Sequence, residues 1–329
     1  MTETVATPGP GSKPLRLVSY NIRFGGRGRD GVIADILGKL EPDVVVFEEA
    51  YDVRVLDSIA GRLGMHTVLA RPDHSVAAMS RIAFDEAEWR TYRRGRAVLA
   101  LGLPEHSLRV LGLHLSAGMS GRGERLRIAE AGRLLEGIEG AAPPGLGAGT
   151  PGPTLAGVPA SDPKPDEASA KDVEPATDHP VETGPQAPPA TTSTGEVARP
   201  PRQTVIVGDF NSVAPGDAPV IRRMPWWVRV LLRFDGGIHT RVIQMFLDAG
   251  FVDGFRRLHP KDLGFTLPAV NPSVRLDYAM LAPDLVPRLR SCAPITPDGL
   301  TSPLLRASDH LPLLTVIEPG GGVAAEARA

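Results

Sequence analysis

The sequence has little cysteine, no long apolar run and no large excess of either charge, and each absence excludes a class of protein. Cys292 is the only cysteine among 329 residues, so the chain has no intramolecular disulfide and no thiolate cluster for a metal. We interpret Cys292 as a small, buried or half-buried apolar residue. No stretch approaches the ~20 apolar residues that span a bilayer, and the chain begins with neither basic residues nor an apolar run. We therefore expect a cytoplasmic protein.

The charges nearly balance over most of the chain. The net charge is −2, but residues 141–200 hold 3 basic and 8 acidic side chains, which leaves 33 basic and 30 acidic side chains elsewhere. Proteins that track long nucleic acids carry a strongly basic surface instead. The composition therefore argues against that function.

Residues 141–200 differ in composition from the rest of the chain. They contain 13 of the 33 prolines and no Phe, Trp or Tyr. A segment so poor in large apolar groups cannot offset the entropy lost on ordering, so we expect a disordered insertion in a surface loop. The insertion interrupts one domain over residues 15–318, with a disordered tail at 1–14 and a flexible tail at 319–329. We expect the protein to be monomeric.

The stretch from Val205 to Ser212 carries the clearest chemical signal. Four β-branched residues, Thr204 to Val207, predict a buried strand, and Gly208 marks the point where the chain leaves the sheet. Asp209 and Asn211 alternate with Phe210, so in an extended backbone both polar side chains point to one face. Such a pair suits a water, a metal or a phosphate oxygen. A strand followed by a simple Asx turn is the alternative interpretation.

Other predicted strands also end in polar side chains. These residues are Asn21, Glu49, His114, Asp277, and Asp309 with His310. Between the strands, amphipathic spacing predicts helices over 30–40, 53–63, 123–138, 225–234 and 240–249. A single Asp or His at a strand end usually caps a turn, but together these residues supply metal-binding oxygens, a His–Asp pair and amide donors. Phosphoester hydrolysis uses all three.

The ordered motifs resemble those of the endonuclease/exonuclease/phosphatase superfamily, which has the deoxyribonuclease I-like fold. They are YNIR from Tyr20, VVFEEA around Glu49, LHL at His114, GDFN at Asp209, RLDY ending at Tyr278 and SDHLP ending at Pro312. The resemblance spans residues 15 to about 317 outside the insertion. It implies an α/β four-layer sandwich, in which two mixed β-sheets pack face to face with helices outside.

The resemblance also implies a site for Mg²⁺ or Mn²⁺. Glu49 corresponds to the principal metal carboxylate, Asn21 lies beside it, and Asp309 completes the metal environment. Glu48 stands where the superfamily often has Gln. It either adds a charge near the metal or points into the neighbouring layer, and we favour the second arrangement.

Five further residues correspond to the catalytic positions of the superfamily. Asp209 and Asn211 orient the attacking water and the phosphate, and His310 faces the phosphate. Asp277 orients His310, since a carboxylate partner fixes the tautomer of an imidazole. His114 faces the phosphate from the opposite side. The sequence leaves open whether Asp209 or His310 accepts the proton from water.

These residues predict a divalent-metal-dependent hydrolase of phosphoester bonds, of the phosphodiesterase or phosphatase type. A nuclease acting on DNA or RNA is the alternative, and the nearly neutral charge does not favour it. A binding module that has lost catalysis is a third class. Such a module normally lacks one of the ligands, and the sequence has them all.

A helix over residues 225–234 would have a basic side and an apolar side. The basic side holds Arg222, Arg229 and Arg233, and the apolar side holds Trp227, Leu231 and Phe234. One hypothesis is that the apolar side packs on the sandwich while the arginines are solvated. The other is that Pro225 to Phe234 makes a peripheral contact with an anionic membrane surface or with the lipid tail of a substrate.

Overall fold

Two six-stranded sheets form the centre of the fold. The structure is a computed structural model and describes residues 13–93, 96–118, 120–138, 203–224, 226–234, 237–295 and 301–320. The expected insertion at 141–200 lies outside the described residues, as do nearly all of the expected tails at 1–14 and 319–329. In chain order, the strands are β1 (Leu15–Asn21), β2 (Val44–Glu48), β3 (Thr67–Leu69), β4 (Val76–Ser80), β5 (Glu86–Arg93), β6 (Arg96–Leu103), β7 (Leu108–His114), β8 (Gln203–Asp209), β9 (Val252–Asp253), β10 (Asp277–Leu281), β11 (Leu289–Pro294) and β12 (Leu313–Ile317).

Both sheets are mixed. The first sheet has the order β11-β12-β1-β2-β4-β3 and the second has the order β5-β6-β7-β8-β10-β9. β1 pairs with β2 in parallel, β7 pairs with β8 in parallel, and the remaining neighbours are antiparallel. β7 and β8 are adjacent in the sheet although residues 115–202 separate them in the sequence.

Seven α-helices flank the sheets in the described part of the chain. They are α1 (Asp30–Leu40), α2 (Val53–Leu63), α3 (Gly121–Glu136), α4 (Trp226–Phe234), α5 (Arg241–Asp248), α6 (Gly254–Leu258) and α7 (Thr301–Ala307). α1 buries Ile33, Ile36, Leu37 and Leu40, which lie on one helical face because they are three or four residues apart. This spacing explains why the predicted bounds of α1 agree with the structure.

Three apolar cores separate the layers. Leu17 and Val46 of the first sheet pack against Val207 of the second in a core between the sheets. Phe47 belongs to a core beneath α1, α2 and α7, and Phe210 belongs to a core beneath α3 and α5. The order of layers is therefore helices, sheet, sheet, helices. The predicted four-layer sandwich is confirmed.

The alternation of side chains along each strand, which places apolar residues in the central core, also places polar residues at one edge of that core. Successive side chains of a strand point to opposite faces of the sheet. Asn21 lies an even number of residues after Leu17 on β1, and Glu48 lies an even number after Val46 on β2. Both polar side chains therefore point into the layer between the sheets. On the second sheet, Asp209 is paired in register with both His114 and Asp277. The two sheets thus bring these five polar residues together at one edge.

Some predicted boundaries were wrong. The strand predicted from Val274 begins only at Asp277, because Val274 forms an isolated bridge to Leu267 instead. The helix predicted over 123–138 spans Gly121–Glu136, with its N-terminus capped by Ser120. β9, α6, β11 and α7 were not predicted. These elements are only two to seven residues long, too short for a periodic pattern.

α4 buries a different side from the one expected to pack. Val228 and Leu232 are buried, whereas Trp227 is 54% exposed and Phe234 is 84% exposed. The packing hypothesis was therefore wrong about which face contacts the sandwich. Arg222 lies in a separate 3₁₀ helix, Ile221–Arg223, so it does not share the axis of α4. Pro225 and the side chain of Leu231 lie outside the described residues. No helix in the described part of the chain is long and apolar enough to cross a membrane.

Candidate active site

A buried imidazole between two carboxylates forms the centre of the candidate site. His310 Nδ1 lies 2.9 Å from Asp277 Oδ2 and 3.2 Å from Oδ1, and His310 Nε2 lies 3.8 Å from Asp209 Oδ2. All three side chains are buried. Asp277 begins β10 and Asp209 ends β8, whereas His310 lies between α7 and β12. The predicted pairing of Asp277 with His310 is therefore present in the structure.

The surrounding charges control the protonation of this centre. Burial by itself would lower the pKa of His310, but the charges of Asp277 and Asp209 outweigh it and raise the pKa to about 10. Burial raises the pKa of Asp209 to about 7, although the charge of His310 opposes the rise. The flanking carboxylates therefore favour the cationic form of His310, and burial favours the protonated form of Asp209.

Two asparagines hold the carboxylate of Asp209. Asn21 Nδ2 donates to Asp209 Oδ2 at 3.1 Å, across the layer between the sheets. The backbone N–H of Asn211 donates to Asp209 Oδ1 at 2.8 Å, and Asn211 Nδ2 donates to Oδ2 at 3.1 Å. Asn211 has a φ of 49°, and an Asn tolerates this left-handed conformation better than most residues. The carboxylate is thus fixed from both sheets.

His114 approaches Asp209 from the neighbouring strand. Its Nε2 atom lies 3.8 Å from Asp209 Oδ2, and its side chain is 2% exposed. His310 Nε2 lies at the same distance from the same oxygen. Two imidazoles therefore converge on one carboxylate oxygen, and both predicted histidines lie in the site.

Gly208 allows β7 and β8 to approach closely just before Asp209. It has a φ of +147°, and a Cβ atom at this position would lie 1.9 Å from the carbonyl oxygen of Leu113. A side chain would therefore separate the strands at the point where Asp209 and His114 are paired. The glycine of the GDFN motif is needed for this geometry.

Glu49 and Asp309 lie nearer the surface. Glu49 Oε2 accepts from the backbone N–H of Phe24 at 2.8 Å, and its Oε1 atom lies 3.5 Å from Asn21 Nδ2. Asp309 Oδ2 forms an ion pair with Arg23 Nε at 3.4 Å. Both carboxylates are partly exposed, so a hydrated ion from solvent can reach them.

The oxygen donors suit a hard divalent cation. Carboxylates and an amide oxygen are the ligands that Mg²⁺ and Mn²⁺ prefer, and Glu49, Asn21 and Asp309 offer them. Among the described residues, the tight group of titratable ligand atoms is Asp209, Asp277 and His310, which lie within 4.8 Å of one another. The imidazole already neutralises charge within that group. It is compatible with a metal, but the oxygen donors beside it match the hard ions better.

Glu48 lies inside the layer between the sheets. Its Oε1 atom accepts from the hydroxyl of Ser19 at 2.9 Å, and its side chain is fully buried. Burial raises the pKa of Glu48 well above its ordinary value, and the charge of Asp277 raises it further. The side chain of Glu48 therefore points into the neighbouring layer, as the favoured of the two predicted arrangements has it, and burial favours its neutral form.

Several supporting residues were not predicted from the sequence. Thr266 Oγ1 accepts from the backbone N–H groups of Leu276 and Asp277, and the carbonyl of Thr266 accepts from the N–H of Leu311. Thr266 thus joins the start of β10 to the loop of His310. No sequence pattern marked this residue, because its partners are distant in the chain.

Two arginines lie within the predicted motifs, but the sequence did not indicate what they do. Arg275 of the RLDY motif is buried, and it forms ion pairs with Asp217 and Asp253 at 2.9 and 2.6 Å. These ion pairs fix the chain immediately before Asp277. Arg23 of the YNIR motif lies at the rim of the site beside Asp309, where it can meet an anionic substrate.

Solved structures share this fold at low sequence identity. No protein-family model matches the sequence, and no curated protein matches it either. A 3′ phosphatase from Neisseria, NExo, bound to product DNA hairpin, matches with a TM-score of 0.59 at 16% identity, over 92% of this chain and 99% of that one. An AP endonuclease from Archaeoglobus fulgidus matches with a TM-score of 0.58 at 16% identity, over 92% and 99%. A humanized D. rerio TDP2 matches with a TM-score of 0.53 at 14% identity, over 93% and 100%. The chain therefore has the endonuclease/exonuclease/phosphatase fold, as the motifs predicted.

Proposed function

We propose that the protein is a divalent-metal-dependent hydrolase of phosphoester bonds that activates water at Asp209. One observation supports this function above the others. The carboxylate of Asp209 is buried, held by amides of Asn21 and Asn211, and faced by the imidazole of His310, which Asp277 orients. This arrangement offers a proton acceptor and a positive donor within a few ångströms of each other, as attack on a phosphate requires.

Asp209 is the better candidate for the base. His310 has a carboxylate on either side, and opposite charges within about 4–6 Å favour the charged form of an imidazole. His310 is then a hydrogen-bond donor to the phosphate rather than a proton acceptor. Asp209 takes one proton from water as the water oxygen forms its bond to phosphorus. The ester P–O bond breaks, the leaving oxygen takes up a proton from solvent, and Asp209 then releases its proton to solvent.

The phosphate oxygens need further donors, and two side chains at the site can supply them. His114 lies beside Asp209 on the second sheet, and Arg23 lies beside Asp309 at the rim. The side-chain amide of Asn211 already donates to Asp209 and to the carbonyl of Leu115, so it positions the proposed base. Fixed donors of this kind stabilise charge that develops on the phosphate in the transition state.

A divalent ion would be held by Glu49 and Asn21, with Asp309 completing its environment. When bound, Mg²⁺ or Mn²⁺ withdraws electron density from a phosphate oxygen and offsets its charge. Asn21 also donates to Asp209, so it links the metal ligands to the proposed base. The ion pair of Asp309 with Arg23 would have to rearrange to free the carboxylate for the ion.

The test is hydrolysis of soluble esters by the purified full-length chain. After treatment with EDTA, the protein should hydrolyse bis(4-nitrophenyl) phosphate or 4-nitrophenyl phosphate only when Mg²⁺ or Mn²⁺ is restored. Asp209→Asn and His310→Ala should each lower turnover by at least about 100-fold. His259→Ala is the control, because His259 forms its ion pair with Asp262 outside the site. Full activity in EDTA or in the His310 variant would contradict the mechanism.

A nuclease is the second candidate, and the structural similarities are the observation that favours it. The Neisseria protein is described as a 3′ phosphatase bound to DNA, and the Archaeoglobus protein as an AP endonuclease. Plasmid DNA, a duplex with an abasic site and an oligonucleotide with a 3′ phosphate test this activity directly. Turnover of any of them that exceeds turnover of the soluble diester would favour the nuclease.

A further inference from the structure

An apolar cavity opens beside the candidate catalytic residues. Its volume is about 540 Å³, and Asn211 and Asp309 form part of its wall. The rest of the wall is mainly apolar and includes Met224, Trp227, Val228, Leu232, Leu267 and Val274. A cavity of this size holds a small ligand or part of a larger one. A phosphate bound at Asp209 would therefore have an apolar space next to it.

The wall formed by α4 is firmly attached to the domain. Val228 and Leu232 are 4% and 7% exposed, and with Met224 they pack against Val213 and Val274. All five of these side chains also line the cavity, so the same contacts that anchor α4 shape the space beside the site. The cavity is part of the folded domain rather than a gap at a loose helix.

The outer face of α4 is apolar and open to solvent. Trp226 is 69% exposed, Trp227 54%, Val230 45% and Phe234 84%. At about 100° per residue, these four side chains cover about 100° of the helix surface. Single exposed apolar residues are common, but three aromatic residues on one short helix form a patch that marks an interaction surface. Trp227 belongs to both surfaces, so the exposed face continues into the cavity.

Basic residues border this exposed face. Arg229 and Arg233 lie beside it on the helix, and Arg222 and Arg223 precede the helix in an exposed turn. α4 itself contains no acidic residue. Aromatic side chains next to a basic stripe are typical of helices that lie in the interface of an anionic bilayer.

We propose that the substrate is a membrane phospholipid, whose apolar tail enters this cavity while the exposed face of α4 rests on an anionic bilayer. The inference rests on the hydrolase function proposed above and adds the substrate class. It explains two features at once, namely why an apolar cavity adjoins a phosphate site and why its outer rim is aromatic and basic. A nucleic acid would account for the aromatic residues through base stacking, but not for an apolar wall and a nearly neutral chain.

Binding to vesicles tests the surface of α4. In EDTA, the wild-type chain should bind vesicles of phosphatidylcholine with about one-fifth phosphatidylserine at least about tenfold more tightly than pure phosphatidylcholine, and high salt should weaken the binding. Trp226→Ser/Phe234→Ser should lower binding at least about tenfold, and both side chains are too exposed for their loss to unfold the domain. Leu258→Ser/Leu263→Ser removes exposed apolar groups elsewhere and should bind as wild type does.

Competition with a soluble substrate tests the cavity. Dodecylphosphocholine, below the concentration at which it forms micelles, should inhibit hydrolysis of bis(4-nitrophenyl) phosphate at least about tenfold more strongly than phosphocholine does. The two inhibitors share a headgroup and differ only in the tail. Trp227→Ala should reduce this difference, because Trp227 lines the cavity.

The possible failures can be told apart. Equal inhibition by the two phosphocholines, or vesicle binding that the aromatic double variant does not change, would overturn the lipid proposal while leaving the hydrolase intact. Stronger inhibition by a single-stranded oligonucleotide than by dodecylphosphocholine would assign the cavity to nucleic acid instead. Failure to hydrolyse any phosphoester would overturn the proposed function, and the substrate class with it.

Discussion

Replacing Asp277 by Asn isolates the charge that orients His310. The substitution keeps the size of the side chain but removes a carboxylate 2.9 Å from the imidazole Nδ1. An opposite charge at this distance is worth about 1–3 pKa units, and each unit corresponds to about 1.4 kcal/mol. We expect the pKa of His310 to fall from about 10 by at least about 2 units, because one of the carboxylate charges that counteract the effect of burial is then absent.

Histidine NMR measures this change directly. The chain has 8 histidines, and a His310→Gln variant identifies the signal of His310 by its absence. In metal-free protein, the wild-type signal should titrate near pH 10 and that of Asp277→Asn near pH 8 or below. At about pH 9, the cationic fraction would fall from about nine-tenths to about one-tenth, so turnover should drop about tenfold from protonation alone.

Stability should depend on pH in a matching way. The folded pKa of His310 lies above its ordinary value of 6.5, so the stability from this pair is fully present below pH 6.5 and is lost as pH rises through about 10. The difference in free energy of unfolding between wild type and Asp277→Asn should therefore shrink over that range. A wild-type His310 that titrates near 6.5, or one whose pKa Asp277→Asn leaves unchanged, would refute this reasoning.

Three further predictions concern single residues. Glu49→Gln should weaken Mn²⁺ binding in titration calorimetry by at least about tenfold, with an unchanged melting temperature, because it removes only a charge; unchanged binding would exclude Glu49 as a ligand. In EDTA, the melting temperature of Glu48→Gln relative to that of wild type should rise as the pH increases above about 4.3, because wild type loses the stability that its protonated carboxyl provides. A difference in melting temperature that stays constant with pH would contradict the raised pKa of Glu48. Gly208→Ala should lower the free energy of unfolding, measured by denaturant titration, by at least about 2 kcal/mol, because its Cβ would collide with the carbonyl of Leu113. The control Gly61→Ala has open space around it in α2 and should raise the free energy of unfolding by up to about 1 kcal/mol.

The sequence alone determined the elements whose patterns are long and regular. β1, α1 and α2 have the predicted bounds, because apolar spacing over seven to eleven residues distinguishes a strand from a helix. The same alternation identified the polar strand ends, since a carboxylate after an apolar run stands out against its neighbours. The fold class followed from the resemblance of these motifs, taken in order, to those of a known superfamily.

Only the tertiary structure decided how these residues meet and what supports them. Asn21 and Asp209 are 188 positions apart, and no local pattern records that an amide of one sheet donates to a carboxylate of the other. Thr266 was missed for the same reason, and the buried face of α4 was misjudged. An amphipathic helix of nine residues with apolar groups on two sides has no local signal for which side packs, because burial depends on the surface that the rest of the fold presents.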